Sequence, residues 1–245
     1  MKAEVAQQRS LLELTELDAE LSRMAHRATH LPQREDIERI RGEHDAANDR
    51  LAAVRIAVED LDVQVARYES EIAAVRQRED RDRSLLSSGA TDAKQLADLQ
   101  HELDTLLRRQ SSLEDSLLEV MEQREELQAQ LAAEQVAIER LQADLAGVQQ
   151  ALDAALAEIE ESRQARSSRR DGLVAALDPG LSALYERLRA GGGPGAGPLL
   201  GHRCGACRIE IDRGELARIA AAADDDVVRC PECSAILLRV KGLGQ

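Results

Sequence analysis

Four cysteines occur in the 245-residue sequence, all near its C-terminal end, as Cys204-Gly-Ala-Cys207 and Cys230-Pro-Glu-Cys233, two CxxC pairs separated by 22 residues. Each pair can close a tight knuckle with both sulfurs aimed at one point, and four thiolates complete the tetrahedral shell that Zn²⁺ accepts. Two disulfides, or thiols that merely pack, would use the same residues, but matched pairs at this spacing are the pattern of a zinc ribbon. With four sulfur ligands no coordination position is left for water, so the metal would hold a fold and not carry out hydrolysis. The expectation is one structural Zn²⁺ on Cys204, Cys207, Cys230 and Cys233, with His202 a weaker alternative ligand and no catalytic residue.

Other groupings offer less. His26 and His30 are spaced i, i+4 and could ligate a metal, but read as solvated histidines on an outer helix face. His44 with Glu134 would make an acid–base pair, yet no nucleophile or pocket accompanies them. Arg163, Arg166, Arg169 and Arg170 form the densest basic cluster, and three of them share a helical face. They could hold a phosphate, or could pair with nearby Glu158, Glu160 and Glu161 at a solvated helix end.

The elements that carry these residues are written in heptads. Phe and Trp are absent, Tyr68 and Tyr185 are the only aromatics, and charged residues make up 32%, a composition of long helices. One apolar row runs from Ile37 through Ile40, Ala47, Leu51, Val54, Val58, Leu61, Val65, Tyr68 and Ile72 to Val75. A second runs from Leu96 to Ile159, interrupted by Gln110, Arg124 and Glu134. Both step by three and four, the repeat of a left-handed coiled coil. Between them, Ser87-Ser-Gly-Ala-Thr-Asp92 is a turn signal, and Asp92 with Gln95 reads as a capping box. Folding back there pairs Leu61 with Leu117, Leu51 with Leu127 and Ile37 with Leu141, and sets His44 opposite Glu134. An earlier row (Leu14, Leu17, Leu21, Met24, Ala28, Leu31) ends at Pro32, where a kink is expected.

The chain thus reads as mainly α: a coiled-coil helical hairpin over 1–177 with its turn near 87–92 and a kink near 32. A short helix and a flexible Gly/Pro linker follow over 178–198, then a small C4 zinc ribbon over 199–245. In the ribbon, Ile209 with Ile211, Val227-Val228, and Ile236-Leu237-Leu238 with Val240 suit strands, and Asp212 with Glu215 suits a capped helix. So small a unit has little core of its own, and metal binding should contribute directly to its folding. A net charge of −14 disfavours nonspecific attraction to nucleic acid or anionic membrane. The absence of a signal-like start or a membrane-length apolar run, together with a thiolate zinc site, points to the cytoplasm.

The layout resembles the bacterial C4-type zinc-ribbon family with a long coiled-coil hairpin, which includes flagellar and type III secretion regulators. The stretches that carry the resemblance are Leu86-Ser-Ser-Gly-Ala-Thr-Asp-Ala-Lys-Gln-Leu-Ala-Asp-Leu-Gln100, Leu184-Tyr-Glu-Arg-Leu-Arg189 and the two knuckles. It implies an antiparallel hairpin, one zinc, and service as an adaptor or chaperone-like partner of other proteins, with some members linked to an alternative sigma factor or to RNA. The sequence departs from the family where the usual Cys-Pro-x-Cys-Gly-Arg-Ile-Leu-Tyr becomes Cys230-Pro-Glu-Cys-Ser-Ala-Ile-Leu-Leu238, which requires Ser234 to adopt the turn that glycine normally makes.

A non-enzymatic protein adaptor, monomeric or weakly dimeric, is therefore the leading expectation. The alternative is a nucleic-acid-binding regulator using the ribbon and the Arg163–Arg170 cluster. From Leu199 to Gln245 seven basic residues face seven acidic ones, and no aromatic is present on which a base could stack.

Overall fold

The computed structural model describes residues 1–88 and 92–239. Of the expected 87–92 turn, residues 89–91 lie outside the described residues, as does Val240. The elements run α1 (Val5–Thr29), α2 (Pro32–Ser87), α3 (Ala93–Ala176), α4 (Pro179–Ala190), β1 (Ala196–Leu200), β2 (Arg203–Cys204), α5 (Arg213–Ala221), β3 (Val228–Arg229) and β4 (Ile236–Leu238). Contacts divide the chain into two compact units, residues 35–149 and residues 1–34 with 150–245. This partition cuts across the boundaries expected from the sequence, because α1 and the last part of α3 belong with the ribbon.

In the 35–149 unit, α2 and α3 bury Ile37, Ile40, Ala47, Leu61, Ile72 and Val75 on one side and Val120 and Ile138 on the other. The capping box forms at the start of α3: Asp92 Oδ1 accepts from Gln95 N–H at 2.7 Å, and Gln95 Oε1 accepts from Asp92 N–H at 3.2 Å. Polar contacts between the helices fix the register. Arg50 donates to both carboxylate oxygens of Glu134 at 2.9 and 3.0 Å, Arg124 Nε approaches Asp62 Oδ1 to 2.6 Å as an ion pair, and Gln142 reaches His44 at 3.4 Å. These pairs slide α3 by one heptad relative to the expected pairing. Leu61 is then level with Arg124 and Val65 with Val120, and His44 has no partner in Glu134. A heptad seam looks the same after a shift of seven, so the apolar rows alone could not distinguish the two registers.

Pro32 occupies the first turn of α2, where its missing N–H has no helical partner to lose. In the unit of residues 1–34 and 150–245, the inward side of α1 carries Leu11, Leu14 and Asp18; Leu17 is only half-buried. Asp178 caps α4 by accepting from Gly180 and Leu181 N–H at 2.9 and 3.0 Å. The Gly191–Pro198 segment does not serve as a flexible connector. Its second half enters β1, with Ala196 fully buried and paired in parallel with Ile236. The sheet order is β2-β1-β4-β3. Ile236 and Leu238 of β4 join Leu11, Leu14, Leu181, Leu184 and Tyr185 in one core, while Leu237, pointing the other way, joins Cys204, Ile211, Ile219 and Cys230 in a second. The first residues add a polar seam to the ribbon: Val227 N–H donates to Met1 O at 3.0 Å, Ala3 N–H to Asp225 O at 2.9 Å, and Gln8 Nε2 to Asp224 O at 3.2 Å. Lys2 also pairs with Asp225.

One prediction tests the register. Val65→Cys with Val120→Cys, in protein whose zinc site is kept loaded, should form a disulfide within one chain, whereas Leu61→Cys with Leu117→Cys should not. Non-reducing electrophoresis and mass mapping read the outcome, and preferential crosslinking of the second pair would return α3 to the sequence-derived register.

Candidate metal centre

The two knuckles are built alike. In the first, Arg208 N–H donates to Cys204 O at 2.8 Å and Cys204 N–H to Ile209 O at 3.1 Å; in the second, Ser234 N–H donates to Cys230 O at 3.0 Å and Cys230 N–H to Ala235 O at 2.9 Å. The residue after the second cysteine is left-handed in both, with φ 63° at Arg208 and 66° at Ser234. Glycine is the residue that enters this region without steric cost, and here two L side chains accept it to turn the sulfurs inward. The first knuckle also lies close against β1. Gly205 N–H donates to Pro198 O at 2.8 Å, and a Cβ on Gly205 would come within 2.6 Å of that same oxygen.

The four Sγ atoms all lie within 4.8 Å of one another. Cys204 and Cys233 are 3.9 Å apart, as are Cys207 and Cys230. A tetrahedron with Zn–S near 2.3 Å has edges of about 3.8 Å, so the cage has the dimensions of a zinc thiolate site, and the cysteines are not joined as disulfides. All four are used, so the site holds one structural zinc in a closed shell. His202 turns to Glu210 at 3.4 Å and is not among the ligands. Without metal, burial pushes the Cys204 thiol up and that of Cys233 up to about 12, while the Ile209 N–H draws Cys207 down. Zinc binding therefore displaces protons. Asp212 caps α5 beside the site by accepting from Gly214 N–H at 2.7 Å, but Glu215 pairs with Arg218 instead of closing the box.

Arg163, Arg166, Arg169 and Arg170 do not form an open cationic patch. Arg163 pairs with Glu160, Arg166 with Glu20, and Arg169 with Glu13 at 2.8 Å. Arg170 donates to Asp18 at 2.7 Å and to Glu186. Asp18 is the centre of a buried network the sequence reading missed, since it also accepts from Tyr185 Oη at 2.6 Å and pairs with Arg189 at 3.1 Å. Burial, followed by the Asp18 carboxylate, raises the Tyr185 pKa and keeps the phenol a donor. Burial works against the Arg170 charge, but Asp18 and Glu186 more than offset it. The one sequence clue was an acid four residues past Leu14 and seven past Leu11 on an otherwise apolar face. His26 and His30 stack at 4.0 Å between ring centroids on an exposed surface, and no third metal-binding side chain joins them among the described residues.

The sequence matches the family model of the CT398-like coiled coil hairpin domain over residues 14–193 and that of the C4-type zinc ribbon domain over residues 203–237. An uncharacterised Mycobacterium tuberculosis protein is 73% identical over 242 residues, covering 99% of each chain, and one from Mycobacterium leprae is 62% identical over 232 residues, covering 95% of this chain and all of its own. A solved structure from Mycobacterium smegmatis is 61% identical, covers 98% of this chain and 100% of its own, and aligns with a TM-score of 0.85. The structure of CT398 from Chlamydia trachomatis shares the fold at 18% identity, covering 95% and 97%, with a TM-score of 0.64.

Three outcomes follow from this geometry. Protein purified without added metal should contain one zinc per chain by elemental analysis, and Cys230→Ser should lose it. Chelation should abolish hydrogen-exchange protection in the ribbon and weaken it in α1 and α4, which share β4 as a wall, while α2 and the facing part of α3 keep theirs. Ser234→Gly should relieve the left-handed strain and raise the thermal midpoint, for a gain of about 0.5–1 kcal/mol; an unchanged or lower midpoint would show that Ser234 is not strained.

Proposed function

Since the chain belongs to the CT398-like coiled-coil hairpin family and ends in a C4-type zinc ribbon, we propose that it is a non-enzymatic adaptor or chaperone-like protein that engages partner proteins through its helical hairpin and its ribbon. The observation that carries this reading is the distribution of charge. The arginines that might hold a phosphate backbone are paired to carboxylates. In the ribbon, Arg203 pairs with Glu210, Arg218 with Glu215, and Arg229 donates to Ser234 O. Arg239 spends its guanidinium on carbonyls at the end of α5, among them Ala222 O and Ala223 O at 2.8 and 2.6 Å. Counterion release from nucleic acid needs unpaired cations, and four thiolates around Zn²⁺ add two negative charges to the ribbon. Long helices instead offer extended side-chain surfaces suited to other helices. No helix among the described residues is long and apolar enough to cross a membrane.

The experiment is affinity capture from native extract with and without nuclease. Recovery of a defined protein that survives nuclease supports the adaptor. Recovery that disappears with nuclease would replace it by the nucleic-acid reading.

A further inference from the structure

The two flanks of the α2–α3 seam differ. On one, the ion pairs Arg78–Glu102 and Glu71–Arg109 bridge the helices. On the other, Leu107, Ser111, Glu114, Leu118 and Met121 of α3 recur at steps of four, three, four and three, so they share a helical face. Leu118 is 59%, Leu107 46% and Met121 37% exposed. Beside them α2 presents Ala66, Glu69, Ala73 and Arg76 at the same kind of spacing. The Arg76–Glu114 ion pair at 2.7 Å puts both rows on one flank, as does a hollow of about 420 Å³ whose lining includes Glu69, Ile72, Ala73, Glu114 and Leu117. With only methyl groups at 66 and 73 the α2 wall is low, and helices approach most closely where the contact side chains are small. A groove that a third helix can enter therefore runs along this flank. Ala66, Glu69, Ala73, Leu118, Met121 and Glu125 are all exposed, so nothing has to open first.

The groove is acidic. Segments 59–71 of α2 and 114–126 of α3 stand level in the observed register and together hold eleven acidic and two basic residues. Both basic residues are engaged, Arg67 with Glu71 and Arg124 with Asp62. Glu69 and Glu125, which border the groove, form no ion pair among the described residues.

We propose that this groove seats a helix of a partner protein whose apolar stripe is bordered by lysine or arginine. Resting on the adaptor reading, the site commits the partner to one chemistry. Leucines of the incoming helix, three and four residues apart, meet Leu117, Leu118 and Met121 over the two alanines. Its cations meet the free carboxylates of Glu69 and Glu125. A second copy of this chain does not fit, because groove against groove would set two acidic surfaces together. Nucleic acid is excluded by the same charge.

The test uses the full, zinc-loaded chain and a synthetic three-heptad amphipathic helix with leucine at a and d and lysine at e and g, with a glutamate-substituted version as control. Binding is followed by fluorescence anisotropy, and folding of each variant by thermal melting. Leu118→Gln with Met121→Gln should weaken the lysine helix by about tenfold or more. Ile56→Gln with Val63→Gln, which removes two exposed apolar side chains from the outer face of α2, should leave affinity within about twofold. Ala66→Gln with Ala73→Gln raises the low wall and should weaken binding as the first pair does, which keeps the comparison if that pair misfolds. Glu69→Gln with Glu125→Gln should weaken binding more than Asp60→Asn with Glu119→Gln, whose acids lie off the groove. Equal weakening by groove and outer pairs, equal binding of the glutamate helix, or no binding of the lysine helix by the unaltered chain would each overturn the proposal. So would sedimentation showing self-association that Leu118→Gln with Met121→Gln abolishes, since a second copy would then be the occupant. A nuclease-resistant native partner retained equally by the groove variants would sink this site and leave the adaptor reading standing; absence of any such partner would sink the reading itself.

Discussion

Three residues of β4 hold the ribbon to the helices and to its metal. Ile236 and Leu238 face α1 and α4, and Leu237 faces the cysteine cage, all three at or below 1% exposure. A strand alternates its side chains, so a short apolar run can be the wall of two cores only if both of its faces are covered. One face is covered by helices, and the other by the knuckles and α5. Neither core is large. The ribbon core contains two of the zinc ligands themselves, so the metal substitutes for apolar area that this small unit does not have.

That shared wall explains why the compact unit is assembled from distant parts of the chain. The residues before α1 pair with the loop ahead of β3, α1 packs with α4, and β1 joins β4 in parallel. Around this apolar contact lies a ring of charge centred on Asp18. A buried carboxylate is unfavourable alone, and here Tyr185, Arg170 and Arg189 all converge on it, with Glu186 pairing with both guanidiniums. The same pairing that satisfies Asp18 removes the arginines from service as an anion site, so a structural need and a functional limit share one cause.

The two units treat buried acid differently. Asp18 is fully provided with donors, whereas Glu79 and Asp82 each keep an oxygen without one. A sequence that satisfies one buried carboxylate so completely and leaves two others wanting gives up stability at a specific place in the seam.

The residues by themselves determined the metal site and the class of fold. Cysteine spacing is a local property, and the knuckle closes through hydrogen bonds spanning four or five residues, so the zinc ligands were legible from Cys204 to Cys233. Heptad periodicity and the Asp92–Gln95 box are equally local, and they gave an antiparallel hairpin. Tertiary structure decided whatever depended on long-range matching. The register shifted by one heptad because a seven-residue repeat is degenerate under that shift, and polar contacts between α2 and α3, Arg50–Glu134 and Asp62–Arg124 among them, break the degeneracy. Glycines and prolines at 191–198 read as a linker, yet a parallel partner in β4 makes Ala196–Leu200 a strand. The fate of the arginine cluster turned on Glu13, Asp18 and Glu20, more than a hundred residues away. No local pattern carries that information, because an ion pair across a fold is set by which helices meet.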